Sequence, residues 1–365
     1  MNKPLVSVVM VVCNVEGFLA ESIESILGQT FRDFEFLIVD FGSTDASKAI
    51  ASTYAAKDSR IRLHEIPPCG LSEARNAACF LAQGKYIAVM DADDISLTNR
   101  LLWEVEFMER HPEVGVVGGA TEWIDRTGQS VYTDHLPTGN DEIRSALTVR
   151  CAFCQPTVMI RKEAFNLVGG YRVVFAQAED YDLWLRLADH FQLANLAAVV
   201  LKYRIHPYQV SVRGRVQQTL CFLAAQVAAS SRRDGFPDPL NAVEQITPEV
   251  LAGLGVTKAR QQPELISDRR KWIRHMCMTG EYSMALNAAL ETLQSDLEYV
   301  ERWQIADLHI TVAWLYWRQR RFAKSIFAAI HGMAIRPAVA GRPLKPLLRQ
   351  LGLVRSMKSR CEDAR

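Results

Sequence analysis

The chain has 365 residues, 49% hydrophobic and 23% charged, enough for one large catalytic domain with a packed core plus a smaller attachment. A formal net charge of +1 gives no overall bias toward nucleic acid or an acidic partner, so any electrostatic specialisation is local. Eight scattered cysteines include one Cys151-x-x-Cys154 pair and no second pair to complete a zinc site; they read as reduced thiols of a cytosolic protein, several of them buried.

The first apolar run, "LVSVVMVVC", is nine residues long, too short to span a bilayer, and no small-residue cleavage site follows a basic region. It reads as a strand. From there to about Val117, β-rich runs ("FEFLIVD", "IRLHEI", "YIAVM", "VGVVG") alternate with amphipathic stretches ("AESIESILGQ", "DASKAIASTYAA", "LSEARNAACFLAQ", "LTNRLLWEVEFMERH"). Continuous apolar strands separated by helices predict a parallel sheet covered on both faces, a doubly wound α/β domain. In such sheets ligands collect at the carboxyl ends of the strands. Two acids fall there: Asp40, closing "FLIVD", and Asp91, closing "YIAVM". In "GSTDAS", Ser43 or Thr44 is expected to cap the next helix, whereas Asp40 has no such local role.

Between about 118 and 205, "GG", "TG", "PTGN" and "GGY" punctuate shorter elements. A helix opens at "EDYDLWLRLADHF", with Leu183, Trp184 and Leu187 as its apolar stripe, and a last strand, "AAVVLKYRIH", ends at His206. Beyond about 214 only helical periodicity remains. There "GEYSMALNAAL" and "RRFAKSIFAAI" superpose at a spacing of 40, matching Tyr282 with Phe322, Leu286 with Ile326 and Ala289 with Ala329, in the manner of a degenerate tetratricopeptide-like hairpin. Any two amphipathic helices could share that spacing. Residues 336–360 hold seven Lys or Arg and no acid, and read as a solvated tail or, second, as a segment resting on anionic lipid at the inner membrane face.

Asp91, Asp93 and Asp94 place three carboxylates in four positions at a strand end, where like charges repel unless a hard divalent cation or a polar ligand shares the site. An Asp-x-Asp alone is weak, since acidic turns produce it constantly. The ordered set is more specific. "VSVVMVVCNVEGFLAESIESILGQTFRDFEFLIVDFGSTDAS", "GLSEARNAA", "GKYIAVMDADDI" with "NRL", "VGGYR", "EDYDLWLRL" and "YRIH", across residues 5–212, together resemble the family 2 glycosyltransferases.

That resemblance implies a GT-A fold, a nucleotide-diphosphate sugar (UDP-, dTDP- or GDP-linked), Mg²⁺ or Mn²⁺, and inverting transfer to a saccharide or lipid-linked acceptor in cell-surface polysaccharide synthesis. It implies that Asp91 and Asp93 are the Asp-x-Asp, with Asp93 on the metal and Asp91 on the ribose or a metal-bound water. It implies Asp180 as catalytic base, Arg75 near the nucleotide, Asn14 and Asp40 in the nucleoside pocket, and His206 as a late metal or diphosphate ligand, though a strand-end His is as readily a hydrogen-bonded surface residue. Phe41 stands where the family usually carries a second Asp; a phenyl ring accepts no proton from a base but could stack on one. The domains expected are 1–213, with a nucleotide half to about 118 and an acceptor half from 119, and a helical region 214–365. With no apolar run long enough to span a bilayer, a cytoplasmic place is expected, or one resting on the inner membrane face.

Two other functions would need different residues. A nicotinamide oxidoreductase wants Gly-x-Gly-x-x-Gly after the first strand, and "VVCNVEGF" has one glycine. A non-catalytic glycosyltransferase-like binding protein, with a helical region docking a partner, would have no need of Asp180.

Overall fold

The computed structural model describes residues 3–206, 209 and 214–339, so residues 340–360 of the basic tail lie outside the described residues. The chain forms two compact units that divide between Leu254 and Gly255.

In the first unit β1 (Val6–Val12), β2 (Phe34–Asp40), β3 (Ile61–Glu65) and β4 (Tyr86–Asp91) pair in parallel, in the order β3-β2-β1-β4. They are joined through α1 (Leu19–Leu27), α2 (Ser47–Ala55) and α3 (Leu71–Leu81). All seven residues of β2 are buried, and β1 and β4 bury all but one each, as their unbroken apolar runs require of strands packed on both faces. The chain leaves β1 toward β2 and β3, then returns to the other side of β1 as β4. The topological switch point therefore falls between β1 and β4, outside whose carboxyl ends α/β sheets bind ligands.

The sheet continues as β4-β8-β6-β9-β5. Here β8 (Met159–Arg161) runs antiparallel to both β4 and β6 (Val114–Ile124), while β6 and β9 (Gln192–Arg204) are parallel. Two antiparallel additions, β5 (Ile95–Ser96) on β9 and β7 (Ser130–Asp134) on β6, complete a mixed GT-A-type sheet. Strand β9 starts well before the expected position 197, because two close-packed glycines give it room. A Cβ on Gly118 would meet Asn195 Oδ1 at 2.4 Å, and one on Gly119 would meet Val200 at 2.6 Å.

The remaining helices of this unit are α4 (Arg100–Arg110), α5 (Asn140–Leu147), α6 (Lys162–Leu167), α7 (Glu179–Ala188), α8 (Arg215–Arg233) and α9 (Pro248–Gly253). The expected boundary at 213/214 needs correction: α8 belongs to the first unit. Tyr181 of α7 stacks on Phe222 with ring centroids 4.0 Å apart, and Asp238 Oδ2 accepts from Arg172 Nη1 at 2.9 Å and Arg232 Nη1 at 2.8 Å. The "DGFPDP" turn, which resembles a linker in composition, is thus an ion-paired clasp. Composition registers the end of the strands, not the end of the core.

The second unit contains α10 (Lys258–Met278), α11 (Tyr282–Gln294), α12 (Arg302–Arg318) and α13 (Phe322–Ile335), each packed on the next. Tyr282 and Phe322 both open helices, as the spacing of 40 predicts. The matched interior pair does not share an environment, since Leu286 is 4% exposed and Ile326 59%. No helix among the described residues is long and apolar enough to cross a membrane. The seven described cysteines are free thiols, and Cys79 and Cys221 are buried.

One buried ion pair braces the carboxyl half of β4. Arg100 donates to Glu104 Oε1 at 3.0 Å and to the Val89 carbonyl at 2.8 Å, and both side chains are wholly buried. Burial pushes the Glu104 carboxyl up to about 7, against the pull of Arg100. Arg100→Met should cost about 3–5 kcal/mol in urea denaturation, because it strands a buried carboxylate. A carboxyl raised in the folded state takes up a proton on folding between its unfolded value and about 7, so the charge left unpaired is relieved toward pH 5 and the loss should be larger at pH 8 than at pH 5; equal losses at both would count against the ionised pair.

Candidate active site

The strand register brings the two acidic tips to either side of the end of β1: Val12 is paired with Asp40 and Val11 with Asp91. Asp40 is buried, and contrary to expectation it has a local task. Its Oδ1 accepts from the backbone N–H groups of Gly42 and Ser43, both at 3.0 Å, closing the turn after β2. Its Oδ2 is buried without a hydrogen-bond partner. Gly42 holds φ +107° with its Cα against Pro68, where a Cβ would come within 2.7 Å of the ring, so only glycine fits this turn.

Asn14, in the left-handed region at φ 52°, ties the end of β1 to the same loop. Its Oδ1 accepts from Thr44 N at 2.8 Å, Thr44 Oγ1 at 3.1 Å and Asp45 N at 3.3 Å. The helix-cap expectation fails accordingly. Ser43 Oγ accepts instead from Asn14 N at 3.2 Å, α2 has no side-chain cap bond at Ala46, and Asp45 Oδ1 accepts from Ser47 N at 2.9 Å. Phe41 sits half-buried in this loop, its N–H donating to the Val12 carbonyl at 3.1 Å.

Across the switch point one guanidinium organises the acids. Arg75, on α3, donates through Nη2 to Asp91 Oδ1 at 2.9 Å and through Nη1 to Glu179 Oε1. Asp91 and Glu179 together hold Arg75 firmly protonated. Burial raises the Asp91 carboxyl above its ordinary range, Arg75 opposes that shift, and Asp93 adds to it. Beside Glu179, the half-buried Asp180 is pushed up to about 7, first by desolvation and then by the Glu179 charge, with Arg75 pulling the other way. Its Oδ1 accepts from Tyr181 N at 2.7 Å, in the first turn of α7. Nine of the ten residues of α7 are buried, Trp184 completely, so the helix end that carries Asp180 is rigidly held.

The opposite side of the Asp-x-Asp is tied to the end of β9. His206 Nε2 lies 2.9 Å from Asp93 Oδ2, and its ring packs on Phe18 with centroids 4.7 Å apart; it is buried rather than a surface residue. Arg204 donates through Nε to the Asp93 carbonyl at 2.9 Å and through Nη2 to Glu21 Oε2 at 2.6 Å. Asp94, the third acid, points inward and accepts from Arg204 N at 2.8 Å, and burial raises its carboxyl well above the usual range. It shapes the turn.

Asn14, Asp40 and Phe41 thus share one loop cluster, Arg75, Asp91 and Asp180 one charge network, and Asp93 and His206 one close pair. The strongest omission from the sequence reading is Glu179, which looks like helix-dipole compensation but is the buried partner of Arg75. Its only sequence signal is adjacency to Asp180. Arg204 was equally hidden.

No group of three or more His, Cys, Asp or Glu is arranged to hold a metal ion unaided among the described residues. Asp93 and His206 nevertheless bring a carboxylate oxygen and an imidazole nitrogen to one place, with Asp91 two residues away. A donor set of that size fits a Mg²⁺-like ion that completes its shell with water and ligand phosphates. The arrangement can bind an anion beside a cation and keep a separate carboxyl whose protonation is balanced near neutrality.

A glycosyl transferase family 2 model matches residues 7–169. The uncharacterised glycosyltransferase MJ1057 of Methanocaldococcus jannaschii is 34% identical over 211 residues, which is 56% of this chain and 72% of that protein. The O-antigen biosynthesis glycosyltransferase WbnJ of Escherichia coli is 32% identical over 207 residues, 55% of this chain and 80% of WbnJ. The chain belongs to glycosyl transferase family 2, and it is a glycosyltransferase. Two solved structures share its fold. TarS 1–349 of S. aureus, in complex with UDP-GlcNAc, superposes with TM-score 0.52 at 17% identity over 89% of each chain. The mannosyltransferase PcManGT of Pyrobaculum calidifontis, in complex with GDP-Man and Mn²⁺, does so with TM-score 0.50 at 18% identity over 91% of this chain and 88% of that one.

Removing the shared cation should expose the strain of the site. Arg75→Met should lower stability by about 3–5 kcal/mol, whereas Glu179→Gln, which keeps an acceptor for Arg75, should cost about 1–2 kcal/mol. Urea midpoints that rank the two the other way would show that Arg75 is not the common partner.

Proposed function

We propose that this glycosyltransferase moves a sugar, with inversion, from a nucleotide-diphosphate sugar to a hydroxyl of a saccharide or lipid-linked acceptor, in the making of a cell-surface polysaccharide. The observation that carries the proposal is the pairing of a half-buried, cation-clamped acid tip at the end of β4 with a second carboxyl, Asp180, balanced near neutral pH beside the Arg75 partner Glu179. WbnJ, named for O-antigen biosynthesis, supports the product class. The nucleotide sugars named in the TarS and PcManGT complexes support the donor class, with UDP-, dTDP- and GDP-linked sugars all kept in view because Phe41 replaces the acid expected to read a base. The expected cytoplasmic setting is kept as part of the same proposal.

In this reading the loop built by Asn14, Asp40 and Phe41 receives the nucleoside. The unpartnered Asp40 Oδ2 is its free acceptor and the Phe41 ring its stacking surface. Asp93 and His206, with Asp91 behind them, would hold Mg²⁺ or Mn²⁺, which when bound neutralises the departing diphosphate as a Lewis acid. Arg75 opposes protonation of Asp91 and holds it in place. The acceptor oxygen attacks the anomeric carbon, the carbon–oxygen bond to the diphosphate breaks on the opposite face, and the acceptor's proton passes to the Asp180 carboxylate. Desolvation makes that carboxylate a stronger base than one in water, and the N-terminus of α7 limits the shift to a useful range.

Asp180→Asn should reduce release of nucleoside diphosphate in the presence of acceptor by at least about 10²-fold while leaving donor binding intact, as loss of a general base does. Turnover by an Asp180→Asn protein at the parental rate would sink the assignment.

A base must be ionised to work. With Asp180 raised to about 7, kcat/KM should climb as pH increases through neutrality and level off above it. An acidic limb centred near the ordinary carboxylate range would contradict this.

Asp93→Ala should weaken donor binding titrated with Mn²⁺ present and have little effect in its absence; the same loss under both conditions would remove Asp93 from the metal.

A further inference from the structure

Helix α13 is packed inside out. Its narrow side faces the rest of the unit: Ala328 and Gly332 are buried, Ser325 Oγ donates to the Ala313 carbonyl at 2.8 Å, and a Cβ on Gly332 would sit 3.1 Å from the Ala306 carbonyl. Its bulky side faces out. Phe322 (48% exposed), Ile326, Phe327 (65%) and Ile330 (54%) continue the exposed ring of Trp317, whose centroid lies 4.9 Å from that of Phe322. A helix at the end of a helical stack normally turns a polar face to water. This one presents a contiguous aromatic and aliphatic face instead, which marks a contact surface.

The charge around it identifies the partner. The net charge of +1 conceals a stretch from Leu308 to Cys361 with eleven Lys or Arg and no Asp or Glu. Arg318, Arg320, Arg321, Lys324 and Arg336 of that stretch are exposed on or beside α12 and α13. Apolar side chains flanked by exposed cations in a stretch of chain without an acid match an anionic lipid surface, where the rings enter the headgroup boundary and the cations meet lipid phosphates. A second copy of the same face would set like charges against each other, and residues 340–360 carry more of the same sign.

We propose that Trp317 and the outward face of α13 dock this protein on an anionic membrane surface. Sedimentation with sucrose-loaded vesicles tests this without turnover, and so independently of the donor and base assignments. The full chain should pellet with phosphatidylcholine vesicles containing about one third phosphatidylglycerol, and at least about tenfold less with phosphatidylcholine alone. Raising salt should release it.

A full-chain variant carrying Ile326→Ser, Phe327→Ser and Ile330→Ser should lose at least about tenfold in vesicle affinity with an unchanged melting temperature, since these side chains leave no core. In case that variant misfolds, a charge variant, Arg320→Glu with Arg321→Glu and Lys324→Glu, should show the same loss. Equal pelleting with both vesicle types would overturn the proposal. So would full binding by both variants, binding that vanishes only when 340–365 is deleted, or a dimeric parent that the serine variant renders monomeric.

Discussion

The site rests on the burial of one guanidinium. Arg75 reaches Asp91 at the end of β4 and Glu179 at the start of α7, and its charge also reaches Asp180. Three carboxylates without it would meet in a volume largely closed to water, where mutual repulsion and desolvation both favour protonation. With it, protonation is opposed at both Asp91 and Asp180, and Asp180 is left near balance. Buried ion pairs contribute little net stability, but they enforce a single geometry strongly, because every alternative leaves a charge unpaired. The constraint is thus more about placement than about stability.

That placement needs both ends of the network to be immobile. On one side the parallel strands put the tips of β2 and β4 in register with the end of β1. On the other, α7 is almost wholly buried, and α8 with the Asp238 clasp closes over it. A third anchor comes from the end of β9, where Arg204 holds the turn after β4 by a backbone carbonyl and Asp94 returns a bond to the Arg204 backbone. Of the three clustered acids, one is therefore spent on architecture, and the two that stay accessible are those at the Asp-x-Asp spacing. The carboxylates at the strand end are compatible because they point to different partners: Asp91 to the Arg75 guanidinium, Asp93 to the His206 ring, Asp94 to the backbone N–H of Arg204.

The helical unit follows another logic. Its helices pack in sequence, and small residues let α13 lie close on α12, at the cost of turning its large side chains outward. One unit thus gathers buried and half-buried charges at a sheet end, and the other exposes an apolar helix face with cations along the same stretch of chain.

Much of this was legible in the amino-acid order. Strand-length apolar runs, helix-period stretches and acids closing two of the strands are local features, and they pointed to the α/β class, to ligand binding at the carboxyl ends and to Asp40, Asp91 and Asp93; Asp180 became a candidate only through the resemblance to family 2 glycosyltransferases. What tertiary structure alone decided is which of these groups touch. Arg75 meets Glu179 across 104 positions, His206 meets Asp93 across 113, Asp40 closes its own turn, α8 joins the first unit, and Ile326 faces out where Leu286 faces in. Periodicity encodes which side of an element is apolar. It carries no information on which distant element will cover that side or supply the counter-charge, because that depends on how segments far apart in the chain are brought together in the folded protein.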